Sequence, residues 1–183
     1  VDEGQLIQLV KEKDEIAFEM LVDKYKPVVE RFAFQFGITP EYIPDIVQET
    51  FIKVYRKIHQ YNTGKLSTWI YRITLNSARD HFRKQKRDQR LLSKAKEKQH
   101  MEEKYRFYFE KEEHIWLHEC LQELDPKYRT PLILFYFHDA SYEEIAAILK
   151  IKPSVVKTRL HRAKRLLKKE FEKFGIQEVY LHG

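Results

Sequence analysis

A single cysteine, Cys120, among 183 residues leaves no internal disulfide to form, and nothing in the composition marks an oxidising compartment. Only five glycines are present, which together with 43% hydrophobic, 34% charged and 14% aromatic residues excludes collagen-like, mucin-like and prion-like chains. No apolar run approaches the roughly 20 residues needed to cross a bilayer. The start Val1-Asp2-Glu3 lacks the basic-then-apolar order of a secretion signal, so the expected location is the cytoplasm. A Gly-rich phosphate loop, a nucleophile elbow and a paired acid-base constellation are also missing, so neither catalysis nor a cofactor is expected. What remains is 43% hydrophobic and 34% charged, apolar enough to fold as one ordinary domain or two small helical ones.

The net charge of +6 hides an asymmetry. Residues 79–98 hold nine Lys/Arg against three Asp/Glu, and residues 150–169 hold nine Lys/Arg and no acid. Outside these blocks the balance reverses to sixteen basic and twenty-five acidic side chains. Two positive surfaces on an acidic body, 70 residues apart in sequence, suggest two footprints on one long polyanion.

Apolar residues recur at three- and four-residue steps, as in Leu6, Leu9 and Val10, then Phe18, Leu21, Val22 and Tyr25, then Val47, Phe51, Val54 and Ile58. No segment alternates as a strand, so the expected fold class is all-α. Pro27 is expected at a kink or boundary, residues 37–44 as a connector, and Pro44 as the first residue of a helix, where its missing N–H costs nothing. Residues 60–67, with Asn62-Thr63-Gly64, read as a loop. The helix after it should begin near Thr68 and pack Trp69 in the core beside Ile73. Residues 88–112 read as a flexible, partly helical linker containing the aromatic cluster Tyr105, Phe107, Tyr108 and Phe109. Beyond it Ile115, Leu117, Leu121 and Leu124 mark a helix ended by Asp125-Pro126, and Pro131 opens a short apolar helix over Leu132–Phe137. Residues 176–183 form a tail.

Ser141-Tyr142-Glu143-Glu144 places a carboxylate three residues after a hydroxyl, the pattern that caps a helix start, and Ile145, Ile148 and Leu149 should be buried beneath it. After a turn through Lys150 to Pro153, Val156, Leu160, Ala163 and Leu167 lie on one stripe of the next helix, with basic side chains around the remainder. Two helices joined by so short a turn, the second strongly basic, describe a helix-turn-helix whose second member enters the major groove.

In series, Asp45-Ile46-Val47-Gln48-Glu49-Thr50-Phe51, Ser67-Thr68-Trp69-Ile70-Tyr71-Arg72-Ile73, Leu124-Asp125-Pro126-Lys127-Tyr128-Arg129, Ser141-Tyr142-Glu143-Glu144-Ile145-Ala146 and Val156-Lys157-Thr158-Arg159-Leu160-His161-Arg162-Ala163 resemble the extracytoplasmic-function group of bacterial sigma factors. The resemblance implies an RNA polymerase specificity subunit with two small helical domains: residues 1–87 for polymerase binding and the minus-10 element, and residues 113–175, with the helix-turn-helix, for the minus-35 element. It implies core RNA polymerase and promoter DNA as partners, no small-molecule substrate, and in many relatives a membrane-anchored inhibitor.

On this resemblance Asp45, Gln48 and Glu49 grip the polymerase clamp helices. Spacing agrees, since Asp45 and Glu49 share a helix face with Gln48 beside them, and an acidic face suits a basic partner. Tyr61, Asn62 and Lys65 fall in the segment that captures a flipped minus-10 base, which needs a stacking surface and edge-directed hydrogen bonds. Asn76, Arg79, Asp80, Arg83 and Lys84 resemble the minus-10 reader, the asparagine suited to an adenine edge and the cations to phosphates. Ser154, Lys157, Thr158, Arg159 and Arg162 fall where the family reads the minus-35 element. The chain departs from the family at Pro44-Asp45, where Glu-Asp is common, and in the turn, where Ser154 replaces a common glycine and Pro153 lies one place late.

Two rivals are distinguishable. A metal enzyme would use His114, His118, Glu119 and Cys120, but Cys120 lies about 200° around a helix from His118. A stand-alone helix-turn-helix regulator would give no role to the acidic helix, loop and basic helix of the first domain.

Overall fold

The structure, a computed structural model, describes residues 1–89, 112–173 and 175. Its described residues form helices and turns with no strand, in two compact units. The expected linker lies almost wholly outside the described residues, as do its aromatic cluster and the tail.

Helix α1 (Glu3–Lys11) starts at Asp2, whose carboxylate accepts the Gln5 N–H at 2.8 Å while the Gln5 side chain accepts the Asp2 N–H. α2 (Glu15–Phe36) contains Pro27 in its interior. The proline is therefore no boundary. It removes one ladder bond, yet Leu21, Tyr25, Val29, Phe32 and Ala33 are all buried on either side of it, and that packing keeps the helix continuous. A short 3-10 helix, Pro40–Tyr42, leads into α3 (Ile43–Lys57), in which Pro44 is the second residue rather than the first. A second 3-10 helix, Ile58–Gln60, precedes the loop, and α4 spans Leu66–Gln89. The loop is thus shorter at its far end than expected: Leu66 is fully buried and already helical. α3 and α4 pack together, with Val54, Ile58, Ile70 and Leu75 in the core.

The second unit takes in Gln35–Gly37 at the end of α2, and its first complete helix among the described residues is α5 (Glu112–Glu123). Asp125 caps α6 (Pro126–Phe137) by accepting the Lys127 N–H at 2.9 Å, and Pro126 takes the first position. Pro131 lies inside this helix instead of opening it. Leu132, Ile133 and Leu134 are essentially inaccessible to water, and their burial outweighs the one bond the proline forgoes. α7 (Tyr142–Leu149) and α8 (Pro153–Lys173) follow, α8 packing against α5, α6 and α7 and burying Val156, Leu160, Ala163, Leu167 and Phe171.

Between α7 and α8 the chain turns at Lys150, which adopts a left-handed conformation (φ 54°) and donates its N–H to the Ala146 carbonyl. The Ile151 N–H reaches the same carbonyl at 3.1 Å, closing the end of α7. Lys152 then starts α8 with its own carbonyl, which accepts from Val155 and Val156. This fixes the helix-turn-helix.

Candidate nucleic-acid interface

Four groups of side chains bear on function, three in the first unit and one in the second. On α3, Asp45 and Gln48 are exposed and Glu49 is half-buried. Asp45 and Gln48 rim a surface groove between α2 and α3, whose floor is Val47 and Phe51 from α3 with Phe18 and Val22 from α2. Glu15, Glu19 and Glu30 of α2 add acidic charge to the same groove, and Lys26 and Arg56 also line it, so its carboxylates outnumber its cations four to two. The contribution of α2 is not visible from α3 alone; its signal is that Phe18 and Val22 continue the apolar stripe yet remain only half-buried.

Glu49 is partly committed internally. The Lys53 ammonium donates to its carboxylate at 2.6 Å, donates to the buried Ser77 hydroxyl of α4 at 3.0 Å, and lies 3.8 Å from Asp80. Lys53 thus ties the acidic helix to the basic one.

In the loop, Asn62 and Lys65 stand at the surface and Tyr61 is half-buried. Its hydroxyl donates to the Gly64 carbonyl, its ring lies 5.7 Å from that of Trp69, and its own carbonyl accepts from the Lys11 ammonium at 2.7 Å. Gly64 has φ 93°, a conformation open to glycine at little cost. Trp69, expected in the core, is only half-buried and forms the back of the loop.

Along α4, Asn76, Arg79, Asp80, Arg83 and Lys84 are all exposed, the first four on one face. Asp80 accepts from Arg83 at 3.0 Å and so positions a cation while facing Lys53 with its other oxygen. His81 packs its ring 4.7 Å from Tyr42. Burial holds its pKa below the ordinary value, against the opposing pull of Asp45 and Glu49.

In the second unit, Ser154, Lys157, Thr158 and Arg162 are exposed at the start of α8 and Arg159 is half-buried. Ser154, Thr158, Arg159 and Arg162 line a hollow together with Lys127 and Tyr128 of α6. The Arg162 guanidinium sits 5.4 Å from the Tyr128 ring centre and the Lys127 ammonium 5.0 Å from it, so one aromatic ring braces two cations. Lys127 and Tyr128 were legible only as members of a motif. Arg129, their neighbour, is buried and donates to the Gln122 and Leu124 carbonyls at 3.1 and 3.2 Å, a structural role at the end of α5.

His118 and Cys120 are both buried in this unit. Burial pushes the thiol up to about 11, and burial together with Arg129 lowers the imidazole to about 4. Among the described residues no group of three or more His, Cys, Asp or Glu is placed to hold a metal ion, and no helix is long and apolar enough to cross a membrane. The His114 side chain lies outside what is described.

Residues 21–88 match the Sigma-70 region 2 family and residues 114–167 the Sigma-70 region 4 family. Over 175 residues the chain is 31% identical to the ECF RNA polymerase sigma factor SigW of Bacillus subtilis, covering 90% of this chain and 94% of SigW. The chain belongs to the extracytoplasmic-function group of RNA polymerase sigma factors. It is also 28% identical to the RNA polymerase sigma-H factor of Pseudomonas aeruginosa, covering 92% of this chain and 93% of that protein. Among solved structures, CnrH in complex with the cytosolic domain of CnrY has a TM-score of 0.71 at 24% identity, covering 92% of this chain and 96% of CnrH. RpoE of Bartonella quintana, in complex with the anti-sigma factor NepR, has a TM-score of 0.69 at 23% identity, over 85% of this chain and 96% of RpoE. Both confirm the fold. As an extracytoplasmic-function sigma factor the chain binds core RNA polymerase and directs promoter-specific transcription initiation. The stand-alone regulator is not favoured.

Proposed function

We propose a division of labour within this sigma factor. Residues 1–87 form the unit that docks on core polymerase and handles the minus-10 element; residues 113–175 form the unit that reads minus-35. Asp45, Gln48 and Glu49 meet the polymerase, with the α2–α3 groove receiving apolar and basic side chains of its clamp helices. Tyr61 offers the half-exposed ring and Asn62 and Lys65 the hydrogen bonds that an extruded base requires, Asn76 reads a base edge, and Arg79, Arg83 and Lys84 hold phosphates. Asp80 orients Arg83, in place of a direct reading role. On α8, Ser154, Lys157, Thr158, Arg159 and Arg162 face the major groove, the first turn reaching deepest.

The single observation that carries this reading is the distribution of charge: an apolar groove in the first unit whose lining carries an excess of carboxylates, and exposed cations on α4 and α8. Opening a base costs a few kcal/mol, which the docked complex supplies without nucleotide hydrolysis. The chain itself then catalyses nothing and works in the cytoplasm beside its polymerase. Family membership further supports a membrane-anchored anti-sigma factor as a partner.

The test separates the two activities. Arg159→Ala is expected to reduce promoter-selective transcription while core binding persists, and Asp45→Ala with Glu49→Ala to weaken core binding while DNA contacts of the second unit persist. Equal loss of both activities in each variant would refute the division.

A further inference from the structure

The α1 helix and the turn after it lie before the stretch matched to region 2, yet two of their lysines reach the elements that frame the loop. Lys11, in the last turn of α1, donates to the Tyr61 carbonyl at 2.7 Å, and its ammonium lies 6.0 Å from the Tyr61 ring centre. Lys13 donates to the Tyr55 carbonyl at 3.1 Å and sits 4.0 Å over the Tyr55 ring. The Tyr55 carbonyl belongs to the last turn of α3, where carbonyls lack helical partners and a cation is favoured. Lys13 also occupies a left-handed position (φ 68°), between a Lys13 N–H bond to Val10 and an Asp14 N–H bond to Leu9. Glycine is the usual occupant of such a helix end. A lysine there carries a backbone cost and a side chain that is put to use.

From these contacts we infer that Lys11 is a positioning residue for minus-10 recognition: it locks the loop through Tyr61, so that Asn62 and Lys65 meet the extruded base in one fixed register. The inference rests on the loop's proposed role as the base-capturing segment. Tyr61 is consequently the brace of the loop. Its carbonyl is fixed by Lys11, its hydroxyl by the Gly64 carbonyl, and its ring by Trp69, so three bonds or contacts hold one residue from three directions. A loop released at Tyr61 keeps its exposed polar groups but loses their common orientation. The expected loss is therefore in discrimination between bases more than in overall affinity.

The experiment is transcription by holoenzyme, assembled from core polymerase and the full chain, on a promoter library randomised across the minus-10 element. Lys11→Met keeps the side-chain stem and removes the donor. It should flatten base preference at one minus-10 position by about tenfold, the factor that corresponds to ~1.4 kcal/mol, with other positions and the minus-35 preference retained. Tyr61→Phe, which removes only the hydroxyl, should flatten the same position, and Lys11→Arg should restore it. An unchanged base profile in Lys11→Met, or a uniform fall at all positions that follows a loss of folded protein, would overturn the inference. If the unaltered chain shows a minus-35 but no minus-10 preference, it is the loop's role itself that has failed.

Discussion

Ser141→Ala strikes the shortest helix of the helix-turn-helix at its start. α7 has only eight residues, too few to persist alone, and its first four N–H groups have no partners within the helix. The Ser141 hydroxyl accepts the Glu144 N–H at 3.1 Å, and the Glu144 carboxylate accepts the Ser141 N–H at 3.4 Å. The first contact is ordinary and the second long, so most of the capping energy resides in the serine. Its removal should cost about 1 kcal/mol, and a unit of this size then melts roughly 4–8 °C lower. Ser141→Asp should retain most of the stability, because a carboxylate caps as well as a hydroxyl and suits the positive end of the helix. The two tryptophans allow the effect to be located: Trp69 lies in the first unit, and Trp116 packs 5.2 Å from Phe171 in the second. In a Trp69→Phe background, thermal unfolding followed by Trp116 fluorescence should register the full shift. In a Trp116→Phe background, Trp69 should register almost none. The reasoning is refuted if the Trp116 midpoint does not move, or if both reporters move equally.

Two other perturbations follow from the buried polar groups. His118 is held neutral with a folded pKa of about 4, below the ordinary 6.5. The unfolded chain therefore binds the proton first, and stability of the second unit should be constant above pH 6.5 and fall by about 3 kcal/mol between pH 6.5 and 4; urea titrations across that range should show the fall, and His118→Gln should abolish it. Lys53→Met should lower the Trp69-reported stability by about 1–2 kcal/mol, since it strands the Ser77 hydroxyl and leaves Glu49 and Asp80 without their shared cation; an unchanged midpoint would remove Lys53 as the tie between α3 and α4.

Local signals were the legible ones. The capping box at Ser141, the stripe Val156, Leu160, Ala163 and Leu167, and the exposed faces of α4 and α8 depend on spacing within one helix, and the sequence displays that spacing directly. A proline's local cost is fixed while the burial that offsets it depends on distant partners, so neither Pro27 nor Pro131 marks a helix end: both lie inside helices whose flanks are core. An aromatic in a polar loop suits a stacking surface, and Tyr61 reads as one from the loop alone; the hold of Lys11 on its carbonyl, from fifty residues earlier, is invisible there. Lys53 is four residues from Glu49 on the same helix, but its reach to Asp80 and Ser77 of α4 is a contact between helices that spacing does not display. Long-range hydrogen bonds to backbone carbonyls leave no periodic trace, and neither does the second wall of a groove.

The central claim is that this chain gives core polymerase its choice of promoter. The direct measurement is run-off transcription from a library randomised across both promoter elements, using purified core enzyme with and without the chain. The account predicts chain-dependent transcripts enriched for two separated sequence elements. Transcripts that start from no template, or that start equally well without the chain, would contradict it.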